Sequence, residues 1–242
     1  MYASMASDKA GPQSEALARA KALGYTENDI RLVPEGSYQG LGCGNPTALA
    51  ELKPGETVLD LGCGGGFDAF LAARDVGETG KVIGVDMTPA MIEKAKLNAA
   101  KAGLANVEFR LADVERLPVR DDSMDAVISN CAINHACRNK LTAFAEAYRA
   151  LRPGGRIAVA DLVPGGPISP EMISRLDEAW REWFAASPLP RDEYLNAISN
   201  AGFASIEITK ETCFSHPGMD CGLEGRIISI QVRAMKPEQG RT

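Results

Sequence analysis

The chain has 242 residues, 45% hydrophobic and 24% charged, with 26 Lys and Arg against 32 Asp and Glu for a net charge of −6; this length buries a complete core without disulfides or a structural metal, and the acidic balance argues against a broad basic nucleic-acid surface. No run reaches the roughly 18 apolar residues of a membrane helix, and the opening "MYASMASDKAGPQ" lacks the basic flank and apolar core of a secretion signal. A cytoplasmic protein without nucleic-acid or membrane partners is expected, in which Cys43, Cys63, Cys131, Cys137, Cys213 and Cys221 stay reduced and available for chemistry or for soft metals and metalloids.

In chain order, "TVLDL" (57–61) is a short apolar run ending in glycines, which predicts a buried strand, and "FDAFLAARDV" (67–76) follows with helical spacing. "KVIGVD" (81–86) is a second strand; Thr88-Pro89 opens the helix "AMIEKAKLNAAKAG", with proline at its start and glycine at its end. "NVEFRLAD" (106–113), "MDAVISN" (124–130) and "GRIAVADLV" (155–163) are three more strands, the last two separated by the helix "KLTAFAEAYRALRPGG". This alternation predicts an α/β fold, a parallel sheet with helices on both faces. Such sheets bind ligands outside the carboxyl ends of the strands, where strand order reverses. Beyond Pro164, "SPEMISRLDEAWREWFAAS" (169–187) and "RDEYLNAISNAGF" (191–203) are helical, and "SIEITKET" and "GRIISIQVRAM" are closing strands that extend the same sheet.

The segment Asp60-Leu61-Gly62-Cys63-Gly64-Gly65-Gly66 sits at a strand-to-helix turn, where glycines let the backbone approach a ligand. The dinucleotide fingerprint G-x-G-x-x-G requires glycine where Phe67 stands. Asp86 ends the second strand, where a carboxylate accepts both hydroxyls of a ribose, and Asp113 ends the third, placed for an adenine edge. A glycine turn alone serves tight packing equally well, but three acidic strand ends around it favour a ligand. Asp60 would repel a pyrophosphate and suits an ammonium, so the ligand implied is an adenosine with an amino-acid end.

"VLDLGCGGGFDAF", "KVIGVDMTPAMIEKA", "ADVERLP" and "ISN" together resemble the class I S-adenosylmethionine-dependent methyltransferases. The resemblance implies their Rossmann-like sheet with a final antiparallel strand, S-adenosyl-L-methionine as cofactor, and cofactor roles for Asp60, Gly62, Gly64, Asp86, Met87, Asp113, Val114 and Asn130. Cys63 falls in a variable small-residue slot of the loop. More narrowly, "GLGCGNPTALA", "VGETGKVIGVDMTPAMIEKA" and "VISNCAIN" are similar to the arsenite S-adenosylmethionine methyltransferases, over about residues 25–165. That resemblance implies that Cys43 and Cys131 bind trivalent arsenic as thiolates, that the arsenic lone pair attacks the sulfonium methyl in line, and that a thiol reductant such as glutathione or thioredoxin is a partner, in detoxification or organoarsenical metabolism. Soft thiolates suit a soft centre. A lone cysteine is commonly a small buried hydrophobe, which fits Cys131 after a core strand; Cys43, in a glycine-rich and mobile-looking segment, is poorly explained by burial.

The family's third arsenic-binding cysteine is missing: the corresponding stretch, "EAWREWFAASPLP", has Trp183 or a neighbour there. Cys137, Cys213 or Cys221 could replace it, a small thiol could fill the place, or a mono-organic arsenical could need only two thiolates, which would make such a substrate preferred over arsenite. Cys131, His135 and Cys137, like Cys213, His216 and Cys221, match no common zinc spacing, while a His135 imidazolium would lower a neighbouring thiol pKa. Trp180, Trp183 and Phe184 share one helix, as core or as a substrate wall. The expected organisation is a substrate-binding lid segment at 1–50, a cofactor-binding core at 51–165, and helices and closing strands at 166–242 that complete the site. The rival readings are a methyltransferase of a small organic or other soft-element acceptor and a non-catalytic metalloid-binding protein.

Overall fold

The computed structural model describes residues 13–34, 36–40, 42–176, 178–214 and 225–238. Strands β1 (Thr57–Leu61), β2 (Lys81–Asp86), β3 (Val107–Leu111), β4 (Met124–Asn130), β5 (Leu151–Pro164), β6 (Ala204–Cys213) and β7 (Ile227–Met235) form one seven-stranded sheet in the order β3-β2-β1-β4-β5-β7-β6. β1 to β5 pair in parallel, and β7 inserts antiparallel between β5 and β6. The chain leaves β1 toward β2 on one side and later returns to β4 on the other, so the strand order reverses at the carboxyl end of β1. The glycine loop starts there.

The helices are α1 (Gln13–Ala22), α2 (Glu27–Leu32), α3 (Pro46–Ala50), α4 (Phe67–Val76), α5 (Pro89–Ala102), α6 (Ile133–Ala136), α7 (Lys140–Ala150), α8 (Pro170–Ser174), α9 (Glu178–Ala185) and α10 (Arg191–Asn200). Alternate strand residues serve opposite cores, as the twofold side-chain period requires. Leu59, Leu61, Val127, Ile157 and Val159 pack with Phe144 of α7 and Tyr194 of α10. Val58, Ala126, Ile128 and Ala158 pack with Phe70 of α4 and Ile92 of α5. Burial on both faces is why these strands are nearly continuous apolar runs. α5 illustrates the local signals: Thr88 stands at its N-terminal boundary without a side-chain cap, Pro89 occupies its first turn, Met91, Ile92, Ala95 and Ala99 face inward, and Gly103 closes it at φ 64°.

Two elements differ from the expected ones. Residues 169–187 form two short helices, because the end of α8 tightens into i to i+3 bonds, from Arg175 N–H to the Met172 carbonyl (3.1 Å) and from Leu176 N–H to that of Ile173 (3.1 Å), which turn Leu176 into the interior. Residues 13–50 hold α1, α2 and α3. The sequence "TEND" signals α2: Thr26 Oγ1 accepts from Asp29 N–H (3.1 Å) while Thr26 N–H donates to Asp29 Oδ2 (2.9 Å), a reciprocal cap.

Candidate active site

The two cysteines singled out by motif converge from distant parts of the chain. Cys43 precedes α3; Cys131 follows β4 with φ 57°, a left-handed conformation that turns the chain sharply off the strand. Cys131 N–H donates to the Ala160 carbonyl (2.7 Å), fixing that turn against β5. The Cys43 carbonyl accepts from the Ser229 hydroxyl of β7 (2.5 Å), and a Cβ on Gly44 would lie 2.6 Å from that of Ala160, so this segment lies flat on β5 and β7. The sulfurs of Cys43 and Cys131 and a carboxylate oxygen of Asp161, near the end of β5, all lie within 4.8 Å of one another. Cys43 is 2% exposed, contrary to the mobile character expected of its segment. Burial pushes the Cys43 thiol well up, helped by its hydrogen bond with Cys131 and by the charges of Cys131 and Asp161, so Cys43 rests as a thiol.

Asn130, expected as a cofactor residue, is the strut of this arrangement. Its Oδ1 accepts from Cys43 N–H (2.9 Å), and its Nδ2 lies 3.0 Å from each of the Tyr25 hydroxyl, the Gly44 carbonyl and Asp68 Oδ2 as donor. Tyr25 in turn donates to Asp68 Oδ1 (2.6 Å). Asn130 therefore links the Cys43 segment to the first turn of α4, the helix that follows the glycine loop.

That loop lines a cavity with Gly42, Asp60, Gly62, Gly64, Asp68 and Asn130 on its walls, and Ser37, Tyr38 and Gln39 across it. Gly62 has φ 70°, and a Cβ there would sit 2.3 Å from that of Ala132, next to Cys131; a Cβ on Gly64 would meet open space. Asp60 is buried with its Oδ2 unpartnered, and burial together with the Asp68 and Asp86 charges pushes its carboxyl well up. An unpartnered buried carboxyl in a cavity walled by bare glycine backbone fits the cationic amino-acid end of S-adenosylmethionine. Asp86 accepts from Gly64 N–H (3.0 Å) and Thr88 N–H (2.8 Å), which aims it across the end of β2. Beside it Met87 and Leu111 are exposed apolar side chains, a surface suited to the face of an adenine. Asp113 Oδ1 accepts from Glu115 N–H (2.9 Å), and the Val114 side chain packs in the core, which leaves its main chain to a ligand.

Other expected residues are not brought together. Cys137 is buried in the core cluster that holds Phe144, outside the group formed by the other two cysteines and Asp161, and burial pushes it well up. Cys213 is exposed on β6; His216 and Cys221 lie outside the described residues. Burial lowers His135 to about 4, with Lys140 acting in the same direction, so it is neutral near pH 7 and supplies no imidazolium to a thiol. Cys63, together with the Phe109 ring, fills the space left by the missing side chain of Gly84, against the core of α4 and α5. Trp183 packs in one apolar cluster with Cys43, Cys131, Leu162, Leu176 and Ile227, edge-on to Trp180 and Phe184, so the aromatic helix does wall the thiols.

Asp161, Tyr25 and Asp68 were not anticipated. Asp161 carried a signal, since a lone charge inside the apolar run "IAVADLV" is a buried charge needing a purpose. A larger open groove, lined by Leu32, Phe70, Arg74 and Asn106, lies at the amino ends of β2 and β3, away from this site.

A family profile described as "Methyltransferase domain" matches residues 52–212. The arsenite methyltransferase of Halobacterium salinarum is 45% identical over 90% of this chain and 56% of its own length, and that of Aquipseudomonas alcaligenes 38% identical over 60% of this chain and 42% of its own. The chain thus spans about half the length of these curated relatives. The crystal structure of an arsenic(III) S-adenosylmethionine methyltransferase from Chlamydomonas reinhardtii superposes with a TM-score of 0.69 at 30% identity, covering 94% of this chain and 75% of that one. The sheet order, the glycine loop at its switch point and the domain match define a class I S-adenosylmethionine-dependent methyltransferase. Within that class the chain belongs to the arsenite methyltransferase family.

Proposed function

We propose that the protein transfers a methyl group from S-adenosylmethionine to trivalent arsenic held by Cys43 and Cys131. The observation that carries this reading is the placement of the two sulfurs, within 4.8 Å of each other and one residue along the chain from Gly42 and from Ala132, which border the glycine loop. Asp60, Gly62, Gly64, Asp86, Met87, Asp113 and the Val114 main chain are the residues to hold the cofactor, with Asn130 at the boundary of the two sites. When bound, the cofactor supplies a methyl group on a cationic sulfur.

The chain's own task is then to hold a nucleophile in line with that methyl. Arsenic bonded to two sulfurs keeps its lone pair, so no general base is needed at the reacting atom. Orientation alone is worth about 7–11 kcal/mol for well-aligned pairs. Trp183, Leu162, Leu176 and Ile227 exclude water from the thiols. Each transfer takes two electrons from arsenic, which becomes pentavalent, so a further round requires a thiol reductant such as glutathione or thioredoxin.

The test is mass-spectrometric detection of methylated arsenic after incubation with cofactor, reductant and either arsenite or methylarsenite. Cys43→Ser and Cys131→Ser are each expected to lower product at least a hundredfold while S-adenosylhomocysteine still binds. Serine variants with undiminished turnover would point to a small organic or other soft-element acceptor. Arsenical binding without product would mark a non-catalytic metalloid-binding protein.

A further inference from the structure

Trivalent arsenic makes three bonds, and two thiols account for two of them. Among the described residues no third thiol joins Cys43 and Cys131; the third group within 4.8 Å is the carboxylate of Asp161. Its Oδ2 accepts from the Tyr194 hydroxyl (3.0 Å) and from Asn134 N–H (3.0 Å), which fixes the plane of the carboxyl. Its Oδ1 is buried with no hydrogen-bond partner, on a side chain 1% exposed. An unsatisfied buried acceptor is costly, and hydrophobic residues precede and follow this one along β5. A ligand that completes it explains why it is there.

The chemistry of arsenite indicates which atom does so. A hard carboxylate oxygen is a poor donor to a soft thiophilic centre, so a direct bond from Asp161 to arsenic is not its use. When As(OH)3 exchanges with two thiols, two As–O bonds break, two As–S bonds form, and the thiol protons leave with the departing hydroxyls as two waters. Arsenic keeps its oxidation state and one hydroxyl. Resting on the arsenical reading above, we infer that Asp161 accepts the hydrogen bond of that remaining hydroxyl and so takes the place of the family's third thiolate. Tyr194 and Asn134 act through Asp161 as positioning residues.

The inference reverses the preference that the missing cysteine suggested. A mono-organic arsenical would turn a C–H group toward the carboxylate and leave it unsatisfied, so the site selects inorganic arsenite by a hydrogen bond that only the hydroxyl can make. Discrimination against an analogue lacking the bonded group is the strong kind.

The experiment is the ratio of kcat/KM for arsenite to that for methylarsenite, in the full chain and in Asp161→Asn and Tyr194→Phe. The asparagine keeps the volume, but its carbonyl oxygen must face the Tyr194 and Asn134 donors, which turns an N–H group to the arsenical in place of an acceptor. The ratio is expected to fall about fivefold to tenfold in Asp161→Asn, the range of one hydrogen bond lost, and by less but in the same direction in Tyr194→Phe. A purely structural role would lower both substrates alike. S-adenosylhomocysteine binding reports folding; if Asp161→Asn does not fold, Tyr194→Phe decides. A ratio unchanged within twofold, or a native chain that methylates methylarsenite and not arsenite, overturns the inference and leaves the proposed function standing. No methylated product from either substrate overturns both.

Discussion

Replacing Asn130 by alanine tests whether an amide, rather than packing, holds Cys43 in place. The substitution removes the acceptor of Cys43 N–H and the donor to Tyr25, the Gly44 carbonyl and Asp68. With only two N–H hydrogens on the amide, three bonds are a fair count at any instant. Two neutral bonds at about 1 kcal/mol each and one to a carboxylate at about 1.5 kcal/mol give roughly 3–4 kcal/mol. For a chain of this size each kcal/mol moves the melting temperature by about 2–4 °C, so the expected loss is roughly 6–16 °C. The second readout is local: iodoacetamide labelling at Cys43, located by peptide mass mapping, is slow in the native chain because that residue is 2% exposed, and accelerates in the variant. Gly42 gives an independent route to the same contact, since a Cβ there would lie 2.9 Å from Asn130 Nδ2. A melting temperature within 2 °C of the native value together with unchanged labelling would mean that Ser229 and the Trp183 cluster hold the cysteine, and the strut argument would be wrong.

Two further outcomes concern stability and pH. Burial would raise the Glu56 carboxyl, but Arg156, at 2.8 and 2.7 Å, and the Lys53 N–H hold it below its ordinary value. Glu56→Gln, which leaves the guanidinium buried without its counter-charge, should cost about 3 kcal/mol by urea denaturation at pH 7; because a depressed carboxyl contributes above its unfolded pKa, the gap to the native chain should narrow below about pH 4.5. His135 is lowered from 6.5 to about 4, so the fold prefers its neutral form and stability drains away as pH falls from 6.5 toward 4. A two-dimensional NMR titration should find the ring neutral at pH 6; an imidazolium there would contradict the burial argument.

How much of this was legible in the sequence follows from where each signal is encoded. β1, β2 and β4 are buried on both faces and therefore read as apolar runs with the boundaries found. α4 and α5 are bracketed by glycine and proline, whose backbone preferences are local. α2 and α3 were missed because they run only six and five residues, and α1 because its sequence is mostly polar without a clear apolar stripe; the region is held by distant partners, as Tyr25, between α1 and α2, sits edge-on to Phe67 of α4 at 4.9 Å. Cys43 and Cys131 were visible as motifs; Cys137 was a candidate third thiol because the sequence showed no packing role for it, and His135 a candidate to assist deprotonation of a thiol because it lies near Cys131 and Cys137 in sequence. The short helix α6 turns Cys137 into the core. Asn130 was legible as a cofactor residue and Asp161 as a lone charge in an apolar run, but the bond from Cys43 N–H to Asn130 and the approach of Asp161 to the thiols have no local pattern.

The burial that hides Cys43 also bears on the order of events at the site. A thiol pushed well up is a weak nucleophile toward ordinary electrophiles and slow to oxidise, because the thiolate is the reactive form. In the proposed exchange arsenite brings its own proton acceptors, since each hydroxyl it loses leaves as water carrying a thiol proton. The thiolate then forms only as its bond to arsenic forms, and no charged sulfur need exist in the apolar cluster around Trp183 and Leu162 beforehand. Under the proposed function, selectivity for a neutral hydroxide of a soft element would follow from burying the thiols, while Asn130 ties the Cys43 segment to the first turn of α4, the helix that follows the glycine loop.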